Sequence, residues 1–316
     1  MPNNVIVELD TLQNSATHFR DLVNEPRCHY TLFQQTRKFN LVCSAMDIID
    51  DTIFALRSYA QHNHDDQGLA YLEIFGVLQT LSIQQDAIRE LYRIIAGCPI
   101  DLEDQYPDIK AIRDTRIRVA GHPVGGLASS HFLVRYTVSK WGFELWKFDQ
   151  SGSHDAEHVD LLALIKKNTL ALDGALRSLN GMIEAEQRSH KEKFLGKSLE
   201  EPFNLLTYFS EKMFQGVSKR NPIGLVGLES IREIIKNFRV GLEERGQHFQ
   251  EADFVLHDIP KLAYALDKLE RYMRGDETQT EDDAYIVATF IRHEMKHLRQ
   301  IAKEIDSDYQ VQPPGK

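Results

Sequence analysis

The segment FNLVCSAMDIIDDTIFAL, residues 39–56, sets the fold, because its apolar residues recur at alternating intervals of three and four. That spacing places them on one face of a long α-helix. A second stripe with the same period runs from Leu72 to Ile95, after a short polar loop at 61–68. Two long helices joined by a short loop predict an antiparallel pair within a helical bundle. The first stripe consists of Phe39, Val42, Met46, Ile49, Ile53 and Leu56.

The elements around this pair follow from the same kind of pattern. Residues 5–9 predict a short strand before a helix over 10–23. Pro107 suits the first turn of a third long helix, which ends at Gly121-His122-Pro123. Apolar residues then alternate with polar ones over 132–148, around a turn at Lys140-Trp141-Gly142. That period of two predicts a β-hairpin near 131–148.

The helical period returns in the second half of the chain, from Asp155 to about Lys193. Further helices are predicted over 202–215, 225–247, 259–274 and 280–308. The fold class is therefore mainly α: a helical bundle with one β-hairpin, followed by a second helical region. We predict a first domain over 1–150 and a long-helix region over 151–316 packed on it.

Composition limits the classes of function. The 316 residues carry a formal net charge of −10, and the pI is about 5.7, which argues against a protein that coats nucleic acid non-specifically. Cys28, Cys43 and Cys98 lack the spacing of a disulfide framework or a thiolate zinc site. The sequence shows neither a secretory leader nor an apolar run long enough to span a bilayer. We expect a cytoplasmic protein without a membrane segment.

A basic cluster stands out in this acidic chain. Residues 113–123 read RDTRIRVAGHP, with Arg113, Arg116 and Arg118 followed by His122. A local positive field of this kind attracts phosphate even where the global charge repels it. Alternatively, these arginines pair with some of the many carboxylates, such as Asp101, Glu103, Asp104 and Asp108, and His122 caps the helix.

Arg116 and His122, with the helix before them and the hairpin after them, resemble the HEPN superfamily. The likeness covers roughly residues 27–149 and includes Val77-Leu78-Gln79, Gln84 to Ile88 and Ser139 to Leu145. Members are helical bundles with an arginine four to six residues before a histidine, and many are dimeric, metal-independent ribonucleases of toxin or defence systems. The family usually has asparagine, aspartate or histidine after the arginine. Here that position is Ile117, a departure that bears on catalysis more than on fold.

The resemblance implies a catalytic pair, Arg116 and His122, and a phosphate- or RNA-binding group of Arg113, Arg118 and Lys110. A ribonuclease without metal needs a base for the ribose 2′-hydroxyl, an acid for the leaving oxygen, and positive charge on the phosphate. Histidine exchanges protons near neutral pH, and arginine holds phosphate through a two-pronged fork. No cofactor and no metal are expected.

Residues 292–297, RHEMKH, form the sharpest competing motif. His293 and His297 with Glu294 match the His-Glu-x-x-His pattern of zinc proteases, but Lys296 occupies a position those enzymes keep uncharged. Arg292, His293 and His297 also satisfy the family's arginine–histidine spacing, which makes them a secondary candidate site. We prefer a third interpretation, a charged and solvated helix face.

The hairpin aromatics Trp141, Phe143 and Trp146 either pack against the bundle or a dimer mate, or stack on bases. Together these features predict a metal-independent ribonuclease or RNA-binding effector of a bacterial stress or defence system. The expected partners are RNA, a second copy of the chain, and an antitoxin or other partner protein. The alternative is a non-catalytic helical interaction or scaffold protein whose basic helix docks an acidic partner.

Overall fold

The computed structural model describes residues 2–25, 36–63, 66–121, 129–149, 154–219, 222–245, 254–276 and 278–310. They form two compact units, Met1–Glu186 and Gln187–Lys316. The mainly α fold is confirmed. In the described part of the chain, no helix combines the length and the apolarity that crossing a membrane requires.

Among the described residues of the first unit, five α-helices precede the sheet and a sixth follows it. The two predicted long helices are present as α2 and α3, and most of their apolar stripes are buried in one core with α1, whereas Leu72 and Phe75 near the start of α3 are exposed. A short polar connection joins them, and Asp66 caps the start of α3 by accepting from the backbone N–H of Leu69 at 2.8 Å. The bounds are α1 Pro2–Asn24, α2 Thr36–Gln61, α3 Gln67–Ile95, α4 Leu102–Gln105, α5 Pro107–Arg116 and α6 Leu161–Phe194.

The sheet has three antiparallel strands in the order β1 Ser129–Leu133, β2 Gly142–Asp149 and β3 His154–Asp160. Phe143 and Leu145 of β2 and Val159 of β3 are buried on the face that meets the helices. The predicted hairpin is therefore present as β1 and β2. Its first strand ends at Leu133, earlier than predicted, because residues 135–137 form a short 3₁₀ turn.

Lys140, in the connection between β1 and β2, ties the sheet to the end of α2. Its Nζ donates to the carbonyl oxygens of Ala60 (3.2 Å) and His62 (2.6 Å) and to Oδ1 of Asn63 (2.9 Å). A lysine at a helix C-terminus satisfies carbonyls that the helix itself leaves open. The ammonium also lies 4.6 Å from the ring centre of Trp141. Burial lowers the pKa of Lys140.

In the described part of the second unit, four α-helices follow the end of α6, and the unit has its own apolar core. They are α7 Leu206–Lys219, α8 Pro222–Glu244, α9 Phe254–Met273 and α10 Glu281–Asp308. The crossing of α7 and α8 is close enough to require glycine on both helices. A Cβ on Gly216 would lie 2.3 Å from the Cα of Gly224, and one on Gly224 would lie 2.8 Å from Sδ of Met273.

Three expectations need correction. Residues 5–9 belong to helix α1 and not to a strand, since Val5 and Leu9 lie one turn apart on its buried side. Residues 155–160, predicted as the start of a helix, form β3. The first unit extends to Glu186 and not to 150, because β3 completes the sheet and most of α6 packs into the same core. The predicted division into 1–150 and 151–316 therefore falls before two elements of the first unit.

We expect Gly224→Ala to lower the free energy of unfolding by about 1–3 kcal/mol, because the added methyl group has no space between Gly216 and Met273. Gly181→Ala is the matched control. Gly181 is exposed on α6, and a Cβ added there would have no neighbour within 4 Å. Alanine there should raise stability by roughly 0.5–1 kcal/mol. Urea unfolding followed by circular dichroism measures both changes, and equal effects of the two variants would contradict the close crossing.

Candidate functional site

The basic helix of the sequence is α5, continued by a π-helical turn over Ile117–Gly121. Pro107 occupies its first turn, and Ile109, Ile112 and Thr115 are buried on one face, at the spacing of a helical stripe. The buried face packs on α3. The arginines and Lys110 consequently lie on the more exposed side of α5. Lys110 itself is exposed.

Arg113 and Arg118 both have carboxylate partners. Arg113 contacts Asp86 of α3 at 2.7 Å and Glu103 of α4 at 3.8 Å. Arg118 forms a two-pronged pair with Glu157 of β3, in which Nη1 contacts Oε2 and Nη2 lies 3.2 Å from Oε1. The hydrogen bonds and charge of Arg118 lower the pKa of Glu157 despite its partial burial. The expected pairing with carboxylates is thus present at these two arginines.

Arg116 differs from both neighbours because its partner is neutral. Its Nε and Nη2 both donate to Oε1 of Gln79 on α3, at 3.2 and 3.0 Å. No carboxylate lies within ion-pair distance of Arg116 in the part of the chain that the structure describes. Arg116 is half-buried, so its side chain is held in place while its charge stays uncompensated. A fixed, uncompensated guanidinium is suited to bind an anion.

The helix changes character immediately after Arg116. Residues 117–121 form a π turn, a rare conformation that occurs frequently at functional sites. Ile117 is 45% exposed there, whereas Val119 is buried. The predicted catalytic histidine, His122, follows Gly121 and lies outside the described residues, so the geometry of the Arg116–His122 pair stays a prediction.

The sheet adds charged side chains beside the π turn that the sequence motif does not include. The register places His131 of β1 directly opposite Lys147 of β2, and the π turn packs on β1. Burial is the largest cause that lowers the pKa of His131, followed by the charges of Arg118 and Lys147, while Glu157 acts in the opposite sense. The alternation of side chains along β1 and β2 is the sequence signal that could have placed His131 and Lys147 on one face of the sheet.

The secondary candidate residues lie in the second unit, on α10. His293 and His297 are exposed, and Arg292 stacks on the ring of Phe214 with its Cζ 4.6 Å from the ring centre. Ile291 and Leu298 supply the buried stripe of the helix. Within the described ranges, no group of three or more His, Cys, Asp or Glu side chains is arranged to hold a metal ion.

The three hairpin aromatics occupy different environments. Phe143 is fully buried in the core, and Trp141 contacts Tyr59 edge to face, with ring centres 5.2 Å apart. Trp146 points to the outer face of the sheet. There it joins Phe132 and Phe148, with the rings of Phe132 and Phe148 stacked at 5.2 Å. Only Trp146 therefore keeps the base-stacking hypothesis open, and Trp141 and Phe143 serve packing.

The second unit also contains an apolar groove of about 650 Å³ between α9 and α10. Exposed Tyr264 (64%) and Ile286 (67%) form much of its surface. Such a surface is typical of a contact with another protein. Comparisons of the chain with models of protein families, with curated proteins and with solved structures gave no match.

We expect Glu157→Gln to lower the stability of the first unit at pH 7 by less than about 1 kcal/mol, since the pair with Arg118 is half-exposed. The folded-state pKa of Glu157 lies below its ordinary value. Its contribution is therefore fully present above the ordinary pKa of a glutamate and is lost as the pH falls through the lower, folded-state pKa. The difference between wild type and variant should thus vanish in strong acid.

Fluorescence of Trp141 and Trp146, the only tryptophans in the chain, reports on the first unit during urea unfolding. Glu144→Gln, on the outer face beside Trp146, is the control for loss of a carboxylate from the same sheet. A difference in stability between wild type and Glu157→Gln that stays constant from neutral pH into acid would contradict the lowered pKa of Glu157 in the folded state.

Proposed function

We propose that the chain is a metal-independent ribonuclease of a bacterial stress or defence system, with a HEPN-like first unit that acts as a homodimer. The observation that carries the proposal is the uncompensated charge of Arg116. Two flanking arginines are neutralised by carboxylates, and Arg116 alone of the three is held by an amide. The residue that the motif selects is the one whose charge is available to a phosphate.

The chemistry requires a proton acceptor, a proton donor and charge stabilisation. The ribose 2′-oxygen attacks the adjacent phosphorus and loses its proton to a base, and a 2′,3′-cyclic phosphate forms. The bond from phosphorus to the 5′-oxygen breaks, and an acid protonates that oxygen. His122 of one copy takes the first proton, and His122 of the second copy supplies the second. Arg116 stabilises the negative charge that develops on the phosphate.

An exposed apolar strip beside Arg116 supports the pairing of two copies. Leu69, Leu72 and Phe75 on α3 are 42%, 67% and 38% exposed, and Phe75 lies one turn before Gln79, the partner of Arg116. Contiguous exposed apolar residues of this kind mark contact surfaces. Two copies joined through this strip would bring two Arg116 side chains toward one cleft.

A non-catalytic interaction protein is the second candidate, and the groove between α9 and α10 favours it. In that case a carboxylate of the acidic partner would form an ion pair with Arg116, as Asp86 does with Arg113. RNA would then be neither cut nor held at the basic helix. The ribonuclease should therefore bind and cut RNA, whereas the interaction protein should do neither.

We expect purified, metal-chelated protein to cleave total RNA, and Arg116→Ala to slow cleavage by about 10²–10³-fold, as loss of one charge-stabilising donor does. His122→Ala should slow it at least as much. Arg239→Ala, an exposed arginine paired with Glu243 on α8, and His18→Ala, an exposed histidine paired with Glu184, are the controls and should leave the rate unchanged. Equal survival of RNA with wild type and all variants would contradict the ribonuclease and favour the interaction protein.

We expect Ile117→Asn to raise the cleavage rate by up to about tenfold, because it places an amide where the family usually has a polar residue, and one neutral hydrogen bond is worth roughly 0.5–1.5 kcal/mol. Ile117 is exposed, so the fold should tolerate the change. Single-turnover cleavage of one RNA measures the rate. Ile117→Val is the control for side-chain size, and a slower or unchanged rate for Ile117→Asn would show that this position does not limit catalysis.

A further inference from the structure

A second group of polar side chains lies on the inner face of the sheet, beyond its buried part. His131 opposes Lys147, and one row along Leu133 opposes Leu145. Residues two apart in a strand point to the same face, so His131 and Lys147 share the face of buried Leu145. Directly opposed residues have Cβ atoms about 4.5–5.5 Å apart. The imidazole and the ammonium group are therefore immediate neighbours.

Arg118 reaches the same face from the π turn. Its guanidinium binds Glu157, which opposes Leu145 from the third strand. Asp155 opposes Lys147 from that strand, so the charged groups around His131 are Arg118, Lys147, Glu157 and Asp155. Partial burial and, after it, the neighbouring cations disfavour the protonated imidazole and lower the pKa of His131.

Two members of this group have no partner. Neither His131 nor Lys147 makes a hydrogen bond or an ion pair with any residue in the described ranges, although Asp155 faces Lys147 in the register. His131 is half-buried, so its ring nitrogens are partly removed from water without compensation. An anion with several acceptor oxygens would satisfy the imidazole, the ammonium and the edge of the guanidinium together.

We propose that His131, Lys147 and Arg118 form a phosphate-binding subsite beside Arg116. The ligand class is a phosphate group, and the proposal rests on the proposed function only in assigning that phosphate to an RNA strand. Arg116 and Arg118 are about 3 Å apart along the helix axis but project to different sides, toward Gln79 of α3 and Glu157 of β3, so one RNA strand would reach both only by crossing the end of the helix. Glu157 competes with the phosphate for Arg118 and weakens binding. The subsite thus positions a neighbouring phosphate and does not take part in bond cleavage.

The first test uses inorganic phosphate and the full chain. Because a bound phosphate favours the protonated imidazole, the pKa of His131 measured by NMR should rise when phosphate replaces chloride at constant ionic strength. His158, exposed on the outer face of the same sheet, is the internal control and should not respond. Lys147→Gln should reduce the response of His131. An equal response of both histidines, or none, would overturn the subsite.

The second test uses a short single-stranded RNA and fluorescence anisotropy at several salt concentrations. Lys147→Gln should weaken binding several-fold and reduce the slope of log K against log salt by about 0.7, the value for one contact to a single strand. His131→Asn should weaken binding more at about pH 6 than at about pH 8, since protonation adds a positive charge to the hydrogen bond that the neutral ring can already donate. Glu157→Gln should strengthen binding, and Lys236→Gln, on α8, should change nothing.

The outcomes separate this proposal from the proposed function. RNA that is cut normally by the His131 and Lys147 variants, with no phosphate response at His131, would overturn the subsite and leave the ribonuclease intact. A phosphate response at His131 in a chain that neither binds nor cuts RNA would support the subsite as a site for free phosphate and overturn the ribonuclease. Thermal unfolding of each variant verifies that a loss of binding does not reflect a loss of fold.

Discussion

The first unit depends on a pair of hydrogen bonds between buried amides. Asn168 of α6 donates to Oε1 of Gln84 at 2.9 Å and accepts from Nε2 of Gln85 at 2.8 Å, and all three side chains are fully buried. Nε2 of Gln84 and Oε1 of Gln85 already lack a partner, and a shift of α3 along α6 by one residue would break the two remaining bonds as well; each buried amide group left unpaired costs roughly 1–3 kcal/mol, so the shift is disfavoured. Apolar contacts alone would tolerate such a shift more easily. The amides therefore fix the register of α3.

That register determines the site, because α3 carries the partners of the basic helix on its other side. Gln79 and Asp86 are seven residues apart, two helical turns, and so lie on one face. One binds Arg116 and the other binds Arg113. Because Gln79 is neutral and Asp86 is charged, the partner of Arg116 leaves its positive charge uncompensated, whereas the partner of Arg113 compensates it. The chemistry of the site thus depends on α3, a helix outside the arginine–histidine pair itself, although Gln79 and Asp86 lie in stretches that carry the resemblance.

The sequence predicted the helices well because their buried faces recur at a regular spacing, as in α2 and α3. It failed at β3, whose residues HDAEHVD contain Val159 as the one buried position among the described side chains of the strand and show no alternation of apolar residues. The strand is specified by its pairing with β2 and not by its own pattern. Pairing between strands cannot be recognised from the pattern of one short stretch of sequence.

The sequence predicted which arginines belong to the candidate site, but it did not predict most of the side chains that they contact. Of the four carboxylates expected to pair with them, Glu103 contacts Arg113, whereas Asp108 pairs with Lys167 and Asp101 caps α4. The partners that matter come from distant segments, Glu157 for Arg118 and Gln79 for Arg116. Helix periodicity tells which face a residue occupies, but the residue it meets depends on how the elements pack.

An acidic chain can still carry a phosphate site, because only the charges close to a bound phosphate act on it strongly. Charges separated by more than about 8 Å are largely screened at physiological salt, so most of the net charge of −10 contributes little at one bound phosphate. The groups nearest the phosphate matter most: among the described residues Arg116 has no carboxylate within ion-pair distance, and Arg118 and Lys147 lie at the inner face of the sheet. Carboxylates close to the arginines limit the positive region to a small area. A small positive region on an acidic surface favours an anion held at one place over non-specific coating of nucleic acid.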